Sequence, residues 1–390
     1  MTQAWTPIFH GFRRAQGRPG VRNFLLILNL TGLTAPSARH VARDLSGSRL
    51  VSMDHGKAIN GRGETPVTKT IESIARHPNA GAVLILSAHR QVAEDLLQML
   101  ADDDRPIKAV TLDDTQRDAL AFRSAALRQG AQLISQISCQ QREEFPWSDL
   151  MIALECGMSD PTSGLVANPL VGLVTDRLIA DGGAGVFGET TEWLGCEHFL
   201  IKRAATTQIA EQVKQAVARR ERLARESGMD LVGNNPNAAN IASGLSTIED
   251  KAIGSVAKTG RAPITTFLDY GERLQGSGLA AMDGPSYTPE SLTGLVAAGA
   301  QMSLFTTGAG NSFVNRLAPT LKITANAESV ARLPEQFDFT CAEVVARPDT
   351  MTAAADALAA RIMEIASGAL TFGEILGEDD EVIARFGETL

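Results

Sequence analysis

The sequence predicts an α/β protein with a doubly wound, parallel-sheet first domain followed by a larger α/β catalytic domain. Short, continuous apolar runs such as residues 24–30 and 150–154 alternate with amphipathic stretches of helical length. Strands of a parallel sheet are buried on both faces, so they read as continuous apolar runs. Several runs stop abruptly at acidic, hydroxyl or glycine residues, which is typical of α/β strands that open into ligand-binding loops.

The first domain is predicted to span residues 1–145 and to alternate four strands with four helices. This βαβα order, with glycine, proline and asparagine between the segments, favours a mostly parallel sheet. No G-x-G-x-x-G follows its first strand, so a dinucleotide site is not indicated. The predicted strands are residues 24–30, 50–53, 82–86 and 107–112, and the predicted helices are residues 36–45, 66–76, 91–101 and 117–133.

A polar, proline-containing joint at residues 142–147 marks the predicted boundary, which gives a second domain of residues 146–390. The same alternation of apolar and amphipathic segments continues there. The predicted strands are residues 150–154, Ala184–Phe187, 279–282, Met302–Thr306 and 321–324, and the predicted helices are residues 169–181, 192–199, 206–226, 289–298 and 352–367, with one more ending at Ala257.

The composition argues against several classes of protein. With 390 residues and 44% hydrophobic residues the chain can bury a sizeable core, and its net charge of −9 argues against nucleic acid as a partner. The four cysteines form no C-x-x-C pair, which argues against a zinc knuckle or a disulfide framework. No signal peptide is visible and no apolar run reaches the roughly 18 residues of a membrane span, so no membrane partner and a cytoplasmic location are expected.

Polar clusters end four predicted strands of the second domain, and they form the candidate site. Because the carboxyl ends of parallel strands lie along one edge of a sheet, these clusters are expected to converge. Three carboxylates and a thiol at one edge would suit a divalent metal and a general base. The clusters are Glu155-Cys156 with Ser159-Asp160, residues 189–192, Asp283, and residues 306–308 with Asn311.

Each cluster taken alone also has a simpler interpretation. Asp160 precedes a proline and Thr190 lies just before Glu192, positions from which a side chain could cap a helix. Cys156 could be a small buried hydrophobe, since no motif pairs it with a histidine. Residues 306–312 could cradle a phosphate or a carboxylate with backbone N–H groups, although they lack the lysine of a P-loop.

Two further groups of residues attract attention in the first domain. Residues 10–23 contain four arginines, among them Arg13, Arg18 and Arg22, and this segment is either a solvated loop or a clamp for a substrate carboxylate. His55 follows a predicted strand and precedes a glycine-containing loop, so it is the histidine most worth testing.

Several longer motifs occur in a fixed order over roughly residues 10–345. They are Gly17-Arg18-Pro19-Gly20-Val21-Arg22-Asn23, His77-Pro78-Asn79, Leu154-Glu155-Cys156-Gly157-Met158-Ser159-Asp160 with Ser163-Gly164 and Ala167-Asn168-Pro169, Gly188-Glu189-Thr190, residues 244–251, Met282-Asp283, and Phe305-Thr306-Thr307-Gly308. Together they resemble the large catalytic part of the altronate/galactarate dehydratase family, which includes altronate dehydratase, galactarate dehydratase and the large subunit of sulfolactate sulfo-lyase.

The resemblance implies a lyase that acts on a small sugar acid or hydroxy-carboxylate. The proton next to a carboxylate is removed, and water or sulfite leaves from the neighbouring carbon. The resemblance also implies a divalent metal, typically iron(II), and a separate small SAF-like subunit within a homo- or hetero-oligomer. Stabilising the enediolate that follows proton removal would require a metal or cationic side chains.

The candidate residues follow from the strand ends and from the resemblance. Those expected to take part in catalysis are Glu155, Cys156, Asp160, Glu189 and Asp283. The metal is expected at His55 and Cys156. Those expected to bind substrate are Arg18, Arg22, Lys57, Ser159, Ser163, Asn168, Thr190, Thr306, Thr307, Gly308 and Asn311.

Two loops depart from the family pattern. Residues 55–61 lack the glycine–cysteine–glycine turn that follows the histidine in the sugar-acid dehydratases, and Ala88-His89-Arg90 replaces a glycine–cysteine–glutamate strand end. Lys57, His89 and Arg90 would make this pocket more cationic, which suits a shorter or more anionic substrate. The alternatives to a dehydratase are a sulfolactate sulfo-lyase-type carbon–sulfur lyase, an epimerase or isomerase, and a non-catalytic binding or scaffold protein.

Overall fold

The computed structural model describes residues 7–53, 66–232 and 235–383. It confirms the α/β class, with two large parallel sheets of four and seven strands covered by helices. None of the helices in these three ranges is long and apolar enough to cross a membrane.

The smaller sheet has the strand order β3-β2-β4-β5, with every neighbouring pair parallel. Its two central strands are buried along their whole length, as expected for strands with helices on both faces. The strands are β2 (Phe24–Asn29), β3 (Ser48–Ser52), β4 (Ala80–Ser87) and β5 (Ile107–Thr111), and the helices around them are α1 (Ala35–Asp44), α2 (Pro66–Ala75), α3 (Arg90–Met99) and α4 (Ala119–Ile137).

The larger sheet has the order β14-β13-β11-β7-β8-β10-β9 and is parallel throughout. Its strands are β7 (Met151–Cys156), β8 (Ala184–Phe187), β9 (Ile264–Leu268), β10 (Gly278–Met282), β11 (Met302–Thr306), β13 (Thr320–Thr324) and β14 (Phe339–Thr340). Its helices are α5 (Asn168–Ala180), α6 (Glu197–Arg203), α7 (Thr207–Ser227), α8 (Ala238–Ala242), α9 (Ile248–Ala257), α10 (Thr288–Ala297), α11 (Ala327–Arg332), α12 (Ala342–Ala346), α13 (Met351–Ala366) and α14 (Phe372–Leu376).

Two short strand pairs lie outside the large sheets. The antiparallel pair joins β1 (Ile8–Gly11) to β6 (Glu143–Pro146), and the parallel pair joins β12 (Val314–Asn315) to β15 (Asp379–Asp380). Each pair connects segments that are distant in sequence, so neither is visible in local periodicity.

The structure corrects one helix and adds an edge strand. The helix expected over residues 192–199 is wrong, because a 3-10 turn over Thr190–Trp193 ends near Gly195, whose φ of +80° interrupts helical geometry, and α6 begins only at Glu197. The sequence analysis missed β9, because this edge strand is partly exposed and contains two consecutive threonines.

The two sheets are packed together through a shared apolar cluster. Val296, Ala297 and Leu317 from the second half of the chain lie in the same buried cluster as Leu26 and Ile85 of the smaller sheet. The predicted division near residue 145 therefore separates two sheets that do not have fully separate cores.

A buried turn after α2 adds hydrogen bonds to this junction. The His77 Nε2 atom lies 3.0 Å from the Ala300 carbonyl oxygen, and its Nδ1 accepts a 3.2 Å bond from the Asn79 N–H. Because Nδ1 is an acceptor, this arrangement requires a neutral ring that donates from Nε2. Burial lowers the pKa of His77 to about 3, with the Ala300 hydrogen bond opposing the shift and the charges of nearby arginines adding to it.

This depressed pKa predicts a pH-dependent loss of stability. In the unfolded chain the histidine takes up a proton near its usual pKa of about 6.5, whereas the folded ring cannot, so stability is lost as pH falls from 6.5 towards 3. Between pH 7 and pH 5 the free energy of unfolding should fall by about 2 kcal/mol from this group. Urea unfolding of the wild type and of His77→Gln at both pH values measures the difference between their free energies of unfolding. A difference that does not become smaller at pH 5 would contradict the prediction.

Candidate active site at the carboxyl edge of the large sheet

The parallel register of β7 and β8 brings Cys156 and Glu189 together. Leu154 pairs with Phe187 in the sheet, so the residues two positions further along each strand direction, Cys156 and Glu189, meet beyond its edge. The Cys156 Sγ atom lies 3.7 Å from a Glu189 carboxylate oxygen and 3.3 Å from a Glu192 carboxylate oxygen. Glu189 has a positive φ of 65°, which starts the 3-10 turn that carries Glu192 inward.

Helix α9 supplies two lysines to the same cluster. Lys258, directly after the helix, places Nζ 3.1 Å from Cys156 Sγ and 2.8 Å from Ser255 Oγ, and it forms an ion pair with Glu189. Lys251 forms a 2.7 Å ion pair with Glu192. The two lysines are seven residues apart, which is two helical turns, so they extend from one face of α9.

Local sequence fixes the position of α9. Thr247 caps its first turn, and the Asp250 side chain bonds back to the Thr247 N–H to complete a capping box. Gly254 packs directly on Gly164 in the π-helical turn Ser163–Ala167, and a Cβ on Gly254 would lie only 3.0 Å from the Gly164 Cα. This close approach lets the helix reach the sheet edge.

The cluster is closed to solvent, and burial and charge set its ionisation. Cys156, Glu189, Glu192 and Lys258 are each at most 2% exposed. Burial raises the pKa of Glu189 to about 7 against the opposing Lys258 ammonium. Burial and the two glutamates raise the pKa of the Cys156 thiol well above its usual value. Burial lowers the pKa of Lys258, but its anionic neighbours raise it more, so the net pKa is above the usual value. Burial raises the pKa of Glu192, but Lys251 and Lys258 lower it more, so the net pKa is below the usual value.

This cluster could bind a metal ion. One ligand atom from each of Cys156, Glu189 and Glu192 lies within 4.8 Å of the other two. A thiolate with two carboxylates is a donor set that suits a borderline divalent cation. The Lys258 ammonium, however, lies against the thiol and the Glu189 carboxylate, so a metal would have to displace it.

Glu155 lies on the opposite face of β7 from Cys156. It is fully buried and accepts a 2.7 Å hydrogen bond from the Ser291 hydroxyl, while its second oxygen has no hydrogen-bond partner among the described residues. Burial, and then the nearby Glu189, raises the pKa of Glu155 well above its usual value. Glu155 thus lies against α10. Cys156, the next residue, belongs instead to the cluster that it forms with Glu189, Glu192, Lys251 and Lys258, which we call the lysine cluster.

Asp160 organises the turn that follows β7. Its carboxylate accepts bonds from the Ser163 N–H at 2.8 Å, the Thr162 hydroxyl at 2.9 Å and the Asn326 amide at 2.8 Å. It also packs so tightly on Gly308 that a Cβ there would overlap it. This geometry matches the capping interpretation of Asp160.

Asp283 is held by two arginines of α7. Arg220 donates a 2.9 Å bond to its carboxylate, Arg219 forms a second ion pair, and the Thr190 hydroxyl donates at 2.9 Å. Thr190 is the residue after Glu189, so Asp283 anchors the turn that carries Glu189 and Glu192.

The remaining polar residues predicted at this edge mostly bond to one another or to the backbone. Thr306 donates to Asn168, the Thr307 hydroxyl accepts from the Gly310 N–H at 3.1 Å, and Asn311 accepts from the Phe313 N–H at 3.0 Å. The Ser159 carbonyl accepts from the amide of Asn240, and the Ser163 hydroxyl donates to the Asp160 carbonyl. They shape the loops around the lysine cluster.

The predicted arginine clamps lie elsewhere. Arg18 donates to the carbonyls of Ser148 and Leu150, which precede β7 at the amino edge of the sheet. Arg22 forms an ion pair with Glu374 and so ties down α14. Both are bound to structural partners and neither joins the cluster. The predicted metal ligand His55 and the predicted substrate ligand Lys57 lie outside the described residues.

The sequence placed Glu192 in a strand-end cluster but did not predict Lys251, Ser255 or Lys258 as site residues. A signal was present, because Lys251 and Lys258 share the face of α9 that carries the buried Ala252 and Ser255. Lysines on the buried face of a helix require a buried anionic partner.

Comparisons with known proteins identify the family. Residues 11–137 match the family described as D-galactarate dehydratase/Altronate hydrolase, second domain, and residues 147–389 match D-galactarate/Altronate dehydratase, C-terminal. The chain is 30% identical to (2R)-sulfolactate sulfo-lyase subunit beta of Chromohalobacter salexigens over 98% of both chains. It is 32% identical to altronate dehydratase of Bacillus subtilis, over 85% of this chain and 68% of that protein.

A second altronate dehydratase, from Escherichia coli, is 31% identical over 97% of this chain and 78% of its own length. Dehydratases and sulfo-lyases are both lyases, so these matches support lyase activity here. With matches covering both sheets, the chain belongs to the altronate/galactarate dehydratase family, which also contains the sulfolactate sulfo-lyase subunit.

Proposed function

We propose that the chain is the large catalytic part of a hydro-lyase that removes water from a small sugar acid or hydroxy-carboxylate. The observation that carries the proposal is the buried cluster of Cys156, Glu189, Glu192 and Lys258 at the carboxyl edge of the large sheet. It combines carboxylates that can accept a proton with an ammonium that can stabilise developing negative charge.

In the proposed reaction, Glu189 is the base and Lys258 stabilises negative charge. A Glu189 carboxylate takes the proton from the carbon next to the substrate carboxylate, and the electron pair expels hydroxide from the neighbouring carbon. The proton that Glu189 has taken passes to the hydroxide, which leaves as water, so Glu189 returns to its carboxylate form. The enol that remains becomes a 2-keto acid. The Lys258 ammonium, beside Glu189, stabilises the enediolate charge.

A divalent cation, proposed to be iron(II), would be held by Cys156, Glu189 and Glu192, where it would supply Lewis-acid stabilisation of substrate oxygens. The donor types fit such an ion, and binding would deprotonate the Cys156 thiol. The position of His55 as a further ligand remains part of the proposal.

A second candidate function is a carbon–sulfur lyase of the sulfolactate type. The observation that supports it is the 30% identity to the sulfo-lyase subunit beta, which is similar to the 32% and 31% identities to the two altronate dehydratases. The same proton abstraction would then expel sulfite, and the enol product would become pyruvate.

The proposal includes a small partner subunit, since the matched sulfo-lyase is named as a subunit. Because the cluster is closed to solvent, a substrate reaches it only when a covering segment moves. The proposal also includes an oligomeric assembly, a cytoplasmic location and a domain boundary between residues 145 and 146.

Removal of the Lys258 charge should abolish turnover. We expect Lys258→Met to lower kcat/KM by at least about 100-fold, because the enediolate loses its nearest cation. The assay supplies the chain and a candidate small subunit with altronate, galactarate and sulfolactate, with and without iron(II), and measures 2-keto acid or pyruvate.

The control is Lys202→Met, which removes an exposed lysine of α6 and should leave turnover unchanged. Lys258→Met leaves the buried Glu189 charge without its partner, which would destabilise the fold. The double variant Lys258→Met with Glu189→Gln removes both charges, and it tests whether a folded protein without this ion pair is also inactive. No product from any substrate with the wild type would overturn the proposed function.

Metal binding should compete with Lys258. We expect Lys258→Met to bind cobalt(II) at least about tenfold more tightly than the wild type, because no ammonium then has to be displaced. Titration with cobalt(II), followed by thiolate-to-metal charge-transfer absorption, measures the affinity, and Cys156→Ser should lose that absorption. Equal affinities in the wild type and Lys258→Met would show that the ammonium does not occupy the metal position.

A further inference from the structure

A second polar cleft lies between the two sheets, away from the lysine cluster. It has a volume of about 1050 Å³, and its wall includes Ser148, Gly182, Gly276 and Gly299, which precede β7, β8, β10 and β11. These residues place the cleft at the amino edge of the large sheet, the edge opposite Cys156 and Glu189. Clefts between packed units are common ligand sites.

Arginines from both halves of the chain line this cleft. Arg14 and Arg105 belong to the first half, and Arg273 follows β9 in the second half. All three donate hydrogen bonds to the carbonyls of residues 76–78, so they converge on one turn of the chain.

The carboxylates of the cleft do not neutralise all of these charges. Arg76 pairs with both Glu72 and Asp102, and Arg105 pairs with Asp103. Within the described residues, Arg14 and Arg273 form no ion pair and donate only to carbonyl and amide oxygens. Three other acidic residues line the cleft. Asp104 is exposed, Asp149 lies near Arg18, and Glu272 accepts a hydrogen bond from the Asp269 N–H.

Arg273 has donors to spare for a ligand. It donates one hydrogen bond, from Nη1 to the Arg76 carbonyl at 2.7 Å, and its Nε and Nη2 atoms make none with the described residues. Burial, and then the neighbouring Arg105, lowers the pKa of both Arg14 and Arg273 to about 10. The charge of Asp103 opposes this lowering for both arginines but does not reverse it.

We propose that this cleft is a binding site for a small dianion, in which Arg273 contacts the anionic oxygens and Arg14, which forms no ion pair with the described residues, supplies a second positive charge. The shared chemistry is a pair of negative charges on a compact ligand, carried either by a phosphate group or by two carboxylates. A guanidinium fork recognises both groups through paired N–H donors. The site is separate from the proposed lyase cluster and does not depend on its activity.

Calorimetric titration of the full chain tests the site with two probes, inorganic phosphate and succinate, in buffers matched in ionic strength with sodium chloride. We expect at least one probe to bind and Arg273→Gln to weaken it by at least about tenfold. Arg273→Lys keeps the charge but not the fork, so its affinity should lie between the two. Binding of phosphate alone or succinate alone identifies the source of the charges.

Two control variants locate the binding. Arg361→Gln removes an arginine of α13 that pairs with Glu364, and it should leave affinity unchanged. The double variant Lys258→Met with Glu189→Gln, which keeps this buried pair neutral, should also leave the affinity unchanged, which separates the cleft from the lyase cluster. No binding of either probe, an unaltered affinity in Arg273→Gln, or an equal loss in Arg361→Gln would each overturn the proposal and leave the arginines as caps of helix carbonyls.

Discussion

Pairing of buried charges at the carboxyl edge of the large sheet is the constraint on which this part of the molecule depends. Glu189 and Glu192 are withdrawn from water, and an unpaired buried carboxylate costs several kcal/mol. Lys258 and Lys251 offset that cost only if α9 lies against the strand ends. The capping box of α9 and its glycine contact with the turn after β7 make that position possible.

Other strand-end residues hold the turns that position this pairing. Asp283 is bound by Arg219 and Arg220, and it holds Thr190 so that the neighbouring Glu189 points inward. Asp160 is saturated by hydrogen bonds that shape the turn after β7. Convergence of polar strand ends therefore produces one buried, charged cluster surrounded by residues that fix its geometry.

The opposite edge of the sheet has a different electrostatic character. There the carbonyls at the end of α2 receive hydrogen bonds from Arg105 and Arg273, as expected where helix dipoles present partial negative charge. Arginines exceed paired carboxylates in this region, whereas Lys251 and Lys258 pair with Glu192 and Glu189 at the carboxyl edge. One sheet thus separates two polar regions of distinct chemistry.

The sequence by itself determined the α/β class, the positions of the central strands along the chain, and the strand ends that carry Cys156 and Glu189. Continuous apolar runs and the polar residues that end them are local patterns, and such patterns survive in any tertiary context. The sequence did not predict edge strands such as β9, because these strands are only half buried and lack a continuous apolar run.

Only the tertiary structure decided which charges meet. Lys258 lies 102 positions beyond Cys156 in the chain, so its contact with the thiol depends on how α9 docks. Arg18 and Arg22, chosen from the sequence as substrate clamps, instead bond to the carbonyls before β7 and to Glu374. The physical reason is that a charged side chain is placed by long-range packing and by the partners that packing provides, and neither is encoded in the spacing of nearby residues.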